Sequence, residues 1–288
     1  MPRWSPRTKA ELSLLFATFL WGGTFPIVKA GLPDVSPLLL VALRFSIASV
    51  LFVLFAPGSL LIPDRETFIR GTRLGLFLFL GFAAQTVGML YTTPSRSAFI
   101  TGTLVVFTPL FQVFFDRRNF QRGNLLGIGV VTVGLWLLTS PQTEGLNRGD
   151  LLTLLCAVFF AYYIVDLNRV TRGTDVRQVT FLQMATCALT AWLALPLLET
   201  PLFHRTLAAY EVLAYTSLFA TLITTSIQTR FQRETSPTRA AIIFTLEPVW
   251  ASVLSYVTLG ERLTVTGLAG GILILTGVLF SELSDAFG

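Results

Sequence analysis

The sequence runs to 288 residues, of which 53% are apolar, 12% aromatic and only 13% charged, against about 25% charged in a typical soluble domain. That balance argues against water as the main solvent. The net charge of +5 sits on cations placed singly or in threes at the ends of apolar runs, which points to membrane topology rather than to nucleic-acid binding.

Ten apolar runs follow one another, at about 11–30, 37–57, 71–91, 96–115, 122–139, 149–167, 178–198, 210–230, 238–258 and 264–282. Each is near the roughly 20 residues that a helix needs to cross about 30 Å of hydrocarbon. The expected fold is therefore an all-α membrane protein of ten transmembrane helices, with no room for a soluble domain. The first run follows Arg3, Arg7 and Lys9 but leads into KAGLPDVSP without a small-residue cleavage site, so it is read as a retained helix. It carries Trp21, Pro26 and, at its far end, Lys29. Lys29 either attracts a substrate carboxylate or snorkels to the interface.

Arg44 stands seven residues into the second run and needs an acceptor, a helix carbonyl or Glu247. Gln85 and Tyr91 lie in the third run, Pro109 in the fourth, Tyr162 and Tyr163 in the sixth and Gln228 in the eighth. The ninth run holds Glu247, Pro248 and Trp250. Glu247 is eight residues beyond Arg239, about 12 Å along a helix, and so near mid-bilayer. There it takes a proton during coupling or meets a substrate ammonium; structurally, it caps backbone freed at Pro248 or pairs with Arg44. Pro26, Pro109 and Pro248 remove backbone hydrogen bonds and are candidate hinges. Trp21, Tyr91, Tyr163 and Trp250 offer large faces with polar handles, suited to a cavity for apolar or aromatic groups or to the interface belt. Cys156 and Cys187, each inside an apolar run and far from a second thiol, read as buried packing, and His204 as a solvated loop residue.

Fifteen of the 21 cations fall in alternate segments on the side of the N-terminus, and five fall on the other side. By the positive-inside rule both termini are expected in the cytoplasm, with the chain integral to the inner or plasma membrane. The chain also repeats. TTPSRSA at 92–98 aligns without a gap with TSPTRAA at 235–241, and the same shift of 143 pairs Gln85 with Gln228, Gly127 with Gly270 and Gly134 with Gly277. A shift of 140 pairs LSLLFATF at 12–19 with LTLLCAVF at 152–159. The repeats are 1–146 and 147–288. With five helices in each, the second enters the membrane from the opposite side, an inverted-topology arrangement suited to alternating access. A pair of amides at positions 85 and 228 would flank the pseudo-twofold axis, as recognition groups for a zwitterion or as interhelical glue.

These residues resemble the EamA-type carriers of the drug/metabolite transporter superfamily over nearly the whole chain. The resemblance rests on TSPTRAAIIFTLEPVWASVLSYVTLGERLTVTGLAGGILILTGVLF at 235–280, with Glu247-Pro248 and Gly260-Glu261-Arg262, and on Trp21-Gly22, Lys29, Pro37 and Arg44 in the first half. The first half departs from the pattern in its closing segment, where Arg118-Asn119 stands in place of Glu261-Arg262 and no carboxylate matches Glu247. The resemblance implies an exporter of amino acids, aromatic and apolar ones included, or alternatively of drugs or other small metabolites. A gated channel is the reading from another class. The expected partners are a small-molecule substrate and the lipid bilayer. No phosphate-binding loop, catalytic triad, metal cluster or intramembrane protease dyad stands in the sequence, so neither an enzyme nor a bound cofactor or metal is expected.

Overall fold

The computed structural model describes residues 5–60, 62–116, 122–139, 147–259 and 265–284. Arg3, Arg118-Asn119 and the Gly260-Glu261-Arg262 turn lie outside the described residues. Within them the chain is helical, and the one β feature is an isolated bridge between Val35 and Phe203. The helices form the rods α1 (Pro6–Gly31), α2 (Pro37–Phe55), α3 (Arg65–Gly88), α4 (Pro94–Phe115), α5 (Arg122–Thr139), α6 (Arg148–Val170), α7 (Val176–Leu198), α8 (Leu207–Glu234), α9 (237–259) and α10 (Val265–Ser284). Seven, α1 to α4 and α6 to α8, are long and apolar enough to cross a membrane; α5 and α10 carry shorter apolar stretches, Leu125–Leu137 and Val265–Val278.

Polar caps, rather than the edges of the apolar runs, set where the helices begin. Asp64 accepts from Thr67 N at 2.7 Å, so α3 starts at Arg65, a turn and a half before its apolar run. The same N–H and the Thr67 hydroxyl hold the Asp64 carboxyl below the usual carboxylate range. At α6, Asn147 and Asp150 form a reciprocal capping box. Glu199, at the end of α7, accepts from Leu38 N and Leu39 N at 3.1 and 3.0 Å, which satisfies the first turn of α2.

Three rods are interrupted. α1 breaks at Gly23, α4 at Thr103 and α9 between Phe244 and Glu247. Pro26 and Pro248 each stand just past a break, where a missing N–H leaves a carbonyl one turn back without its helical partner. Pro109 does not mark one: the helix Leu104–Asp116 continues through it, and the break in α4 falls six residues earlier. α8 contains a fourth irregularity, a nine-residue π-helical segment at Tyr215–Ile223.

α1 packs against α8 and α9, and α6 packs against α3 and α4. The first helix of each half thus inserts beside the third and fourth rods of the other. α5 and α10 pack together along their glycines: a Cβ at Gly134 would lie 2.8 Å from Gly270 O, and one at Gly277 would lie 3.1 Å from Gly127 O. Leucines such as Leu54, Leu193, Leu197 and Leu268 point outward, while Arg44, Gln85, Asp150, Asp166, Gln183 and Gln228 are buried. That distribution suits a molecule whose surroundings are hydrocarbon and whose polar groups must find partners inside.

Candidate functional site

The irregular middles of α1, α4 and α9 meet α3, α6 and α8 around a central cavity. Trp21 and Thr24 reach it from either side of the break in α1, Thr101 and Leu104 from either side of the break in α4, and Phe244 and Glu247 from the two ends of the break in α9. Helix interruptions therefore do local work: they turn backbone and side chains toward one volume. Leu78, Phe82 and Gln85 line it from α3, Phe160, Tyr163 and Ile164 from α6, and Thr225 and Gln228 from α8.

The lining follows the repeat. Phe82 and Thr225, Gln85 and Gln228, Thr101 and Phe244, and Leu104 and Glu247 are four pairs of positions 143 residues apart. Only the glutamine pair keeps its chemistry. At the other three, one member is apolar and the other is polar or charged, so the wall is asymmetric in polarity about related positions. Among the described residues that line the wall, Glu247 is the one carboxylate and none is a lysine or arginine. No ion pair or hydrogen bond among the described residues engages the Glu247 side chain. Trp21, Phe82, Phe160, Tyr163 and Phe244 supply aromatic faces.

A buried hydrogen-bond network holds these side chains. Gln85 Nε2 donates to Thr101 Oγ1 at 3.1 Å, and Gln228 Nε2 donates to Gln232 Oε1 at 2.9 Å. The Tyr163 hydroxyl donates to Gln183 Oε1 at 2.7 Å, and Gln183 Nε2 donates in turn to Thr229 Oγ1 at 2.6 Å. Trp21 Nε1 donates to Ala220 O at 3.3 Å, within the π-helical segment, and its ring meets Phe244 edge to face at 5.2 Å.

Of the residues singled out in the sequence, Trp21, Gln85, Tyr163, Gln228 and Glu247 come together in this wall. The others stand elsewhere. Arg44 is buried behind Phe82, with Nε donating to Thr221 Oγ1 at 2.8 Å, Nη2 to Ala220 O at 3.1 Å, and its guanidinium 4.4 Å from the Phe82 ring centre. It does not pair with Glu247. Lys29 Nζ donates to Met89 O and Thr92 O at 2.5 and 3.0 Å, closing the exposed end of α3. Tyr91 is 55% exposed at the α3–α4 turn. Trp250 packs edge to face on Phe19 at 5.3 Å, and its buried indole Nε1 has no hydrogen-bond partner among the described residues. Pro26 lines a separate apolar groove on the flank, with Phe19 and Phe219.

The lining residues not singled out in the sequence were Leu78, Phe82, Thr101, Leu104, Phe160, Ile164, Thr24, Thr225 and Phe244. The shift of 143 was a signal for three of the pairs, but it couples unlike residue types there and so does not stand out as similarity.

Comparison with known proteins places this geometry. The model of the EamA-like transporter family matches residues 8–140 and again 147–283. An "Uncharacterized transporter" of Archaeoglobus fulgidus is 32% identical over 284 residues, covering 96% of this chain and 87% of that protein. A "Probable amino-acid metabolite efflux pump" of Salmonella typhimurium is 27% identical, with 92% and 91% covered, and an "Uncharacterized inner membrane transporter YedA" of Escherichia coli is 25% identical, with 92% and 88% covered. A solved crystal structure superposes with a TM-score of 0.79 over 96% of this chain and 97% of its own, at 19% identity, a likeness of fold alone. The chain is a multi-pass membrane protein and belongs to the EamA-like transporter family.

Proposed function

We propose that this transporter exports amino acids, aromatic and apolar ones included, by alternating access through ten transmembrane helices arranged as two inverted repeats, 1–146 and 147–288, with both termini in the cytoplasm. The observation that carries the reading is the cavity itself: a central volume at the meeting of the two halves, lined by four pairs of positions 143 residues apart, with one carboxylate, two amides and a set of aromatic faces. Glu247 meets the substrate ammonium, Gln85 and Gln228 hydrogen-bond its carboxylate, and Trp21, Phe82, Phe160 and Phe244 enclose its side chain. The efflux pump of Salmonella typhimurium, named for amino-acid metabolites, supports the substrate class.

Counterflow in proteoliposomes tests it. Vesicles preloaded with unlabelled amino acid are expected to concentrate labelled amino acid transiently, whereas a pore would only equilibrate it. If no amino acid shows counterflow while a functional control drug is transported, the reading gives way to drug export. One observation favours that second reading: the described residues of the wall include a carboxylate and no cation, which also suits a lipophilic amine without a carboxylate of its own.

A further inference from the structure

The sequence repeat at 92–98 and 235–241 contributes nothing to the cavity wall, yet the structure gives its two copies matching contacts. Each copy opens a helix. Thr93 Oγ1 accepts from Arg96 N at 3.3 Å at the start of α4, and Ser236 Oγ accepts from Arg239 N at 3.2 Å at the start of α9. From these caps each arginine reaches the first helix of the other half. Arg96 Nη2 lies 2.6 Å from Asp150 Oδ2 of α6, and Arg239 Nη1 lies 3.0 Å from Glu11 Oε1 of α1. The threonine four residues before each arginine contacts the same carboxylate: Thr92 Oγ1 to Asp150 Oδ1 at 3.0 Å, and Thr235 Oγ1 to Glu11 Oε1 at 3.5 Å.

The turn that precedes each copy is also tied down in the same way, within its own half. Lys29, at the end of α1, donates to Met89 O and Thr92 O; Asn168, near the end of α6, donates to Gln232 O and Thr235 O at 3.0 and 2.9 Å. Met89 and Gln232, and Thr92 and Thr235, are again 143 residues apart. One cluster lies at the end of the bundle where α1 begins, the other at the opposite end, where α6 begins and α1 ends. The cavity lies between them.

We propose that these clusters, Thr92–Arg96–Asp150 and Thr235–Arg239–Glu11, are the two gates of the transport cycle, each joining the halves at one mouth of the cavity and each released when that mouth opens. The inference rests on the alternating-access reading above. A gate of this kind needs a contact between the halves that is favourable when closed and replaceable by water when open. An ion pair with one buried partner meets that need, because its desolvation cost is recovered on opening. Both pairs are formed here, which describes a cavity latched at both ends. The closed state also brings backbones together at one mouth: a Cβ at Gly149, beside Asp150, would lie 2.5 Å from Gly88 O. Arg73–Asp166, a forked pair between α3 and α6 at the end where α1 begins, has no counterpart at the shifted positions, where Thr216 and Pro26 stand. It is assigned to the scaffold and serves as a control.

The test uses the full chain with Cys156→Ala and Cys187→Ala, and a reporter cysteine in the wall, Thr24→Cys. Vesicles of each orientation are treated with a membrane-impermeant maleimide. Asp150→Asn is expected to raise labelling several-fold from the face where α6 begins and to lower it from the other. Glu11→Gln is expected to do the reverse, and Asp166→Asn to change neither. If Asp150→Asn does not fold, Arg96→Gln reads the same gate. Unchanged labelling in the gate variants, a rise from the wrong face, or the same rise from Asp166→Asn would overturn the gates even where counterflow persists. A parent protein without counterflow whose reporter is labelled freely from both faces at once would instead overturn alternating access, and the gates with it.

Discussion

Two ionisable side chains divide the labour at the centre of this transporter. Glu247 faces the cavity, whereas Arg44 is spent on structure, holding Thr221, Ala220 and the face of Phe82. Hydrogen bonds from a charged donor are worth about 1.5–3 kcal/mol each, and the arginine stem adds packing. Arg44→Ala is therefore expected to cost about 2–4 kcal/mol, and Arg44→Lys, which keeps the charge and loses the fork, less than that. Thermal unfolding in detergent checks the order; equal melting temperatures for wild type and Arg44→Ala would refute the structural role. Glu247→Gln is expected to fold and to retain exchange, but to lose any proton-driven component. It should also weaken an amine-bearing substrate by about 10- to 150-fold, the equivalent of one charge-assisted hydrogen bond. A pH profile of transport unchanged in that variant would remove Glu247 from coupling.

At the scale of elements, the departures from regular helix carry the site and the regular stretches carry the scaffold. The breaks at Gly23, Thr103 and 245–246 deliver Trp21, Thr24, Thr101, Leu104, Phe244 and Glu247 to one volume. The π-helical segment of α8 presents Ala220 O to both Trp21 and Arg44, and widened turns of this kind recur at functional sites. The α5–α10 pair is the opposite case, regular and close. Gly134→Val would place a branched side chain against Gly270 O and Ile274 N, each 2.8 Å from the first added carbon. Since backbone cannot rotate aside as a side chain can, a cost of about 1–3 kcal/mol is expected. Unfolding in detergent should register it while the parent's substrate preference, read by competition in counterflow, stays as it was.

For the whole molecule, the partition of cations predicts an orientation of the chain that is directly testable. Reporter fusions at the C-terminus are expected to read as cytoplasmic, and reporters in the loop between α7 and α8 as external. The same C-terminal reporter read as external would reverse the direction assigned to each gate without touching their pairing. The surrounding lipid explains why large apolar side chains are exposed and why polar ones join the apolar core: a buried Asp150, Gln183 or Arg44 is tolerated because each has partners within the bundle.

Much of this was legible in the residues. The apolar runs marked the rods to within a few residues, because crossing hydrocarbon demands both a length and a composition. The shift of 143 marked Gln85 with Gln228 and the two arginine stretches, because repeats keep local sequence. Helix starts were displaced wherever a capping side chain such as Asp64 extended the rod beyond the hydrocarbon-length run. Proline marked two of the three breaks and not the third, since α4 is interrupted at Thr103 and passes through Pro109. What the sequence by itself determined was the class of molecule and the family, which depend on composition and local pattern. Only the tertiary structure decided that Arg44 turns to Ala220 and Thr221 rather than to Glu247, that Lys29 closes a helix end, and that Arg96 and Arg239 each reach the other half. Those partners are 54 to 228 residues apart along the chain, and no local preference chooses among them; the packing of α1 beside α8 and α9, and of α6 beside α3 and α4, does.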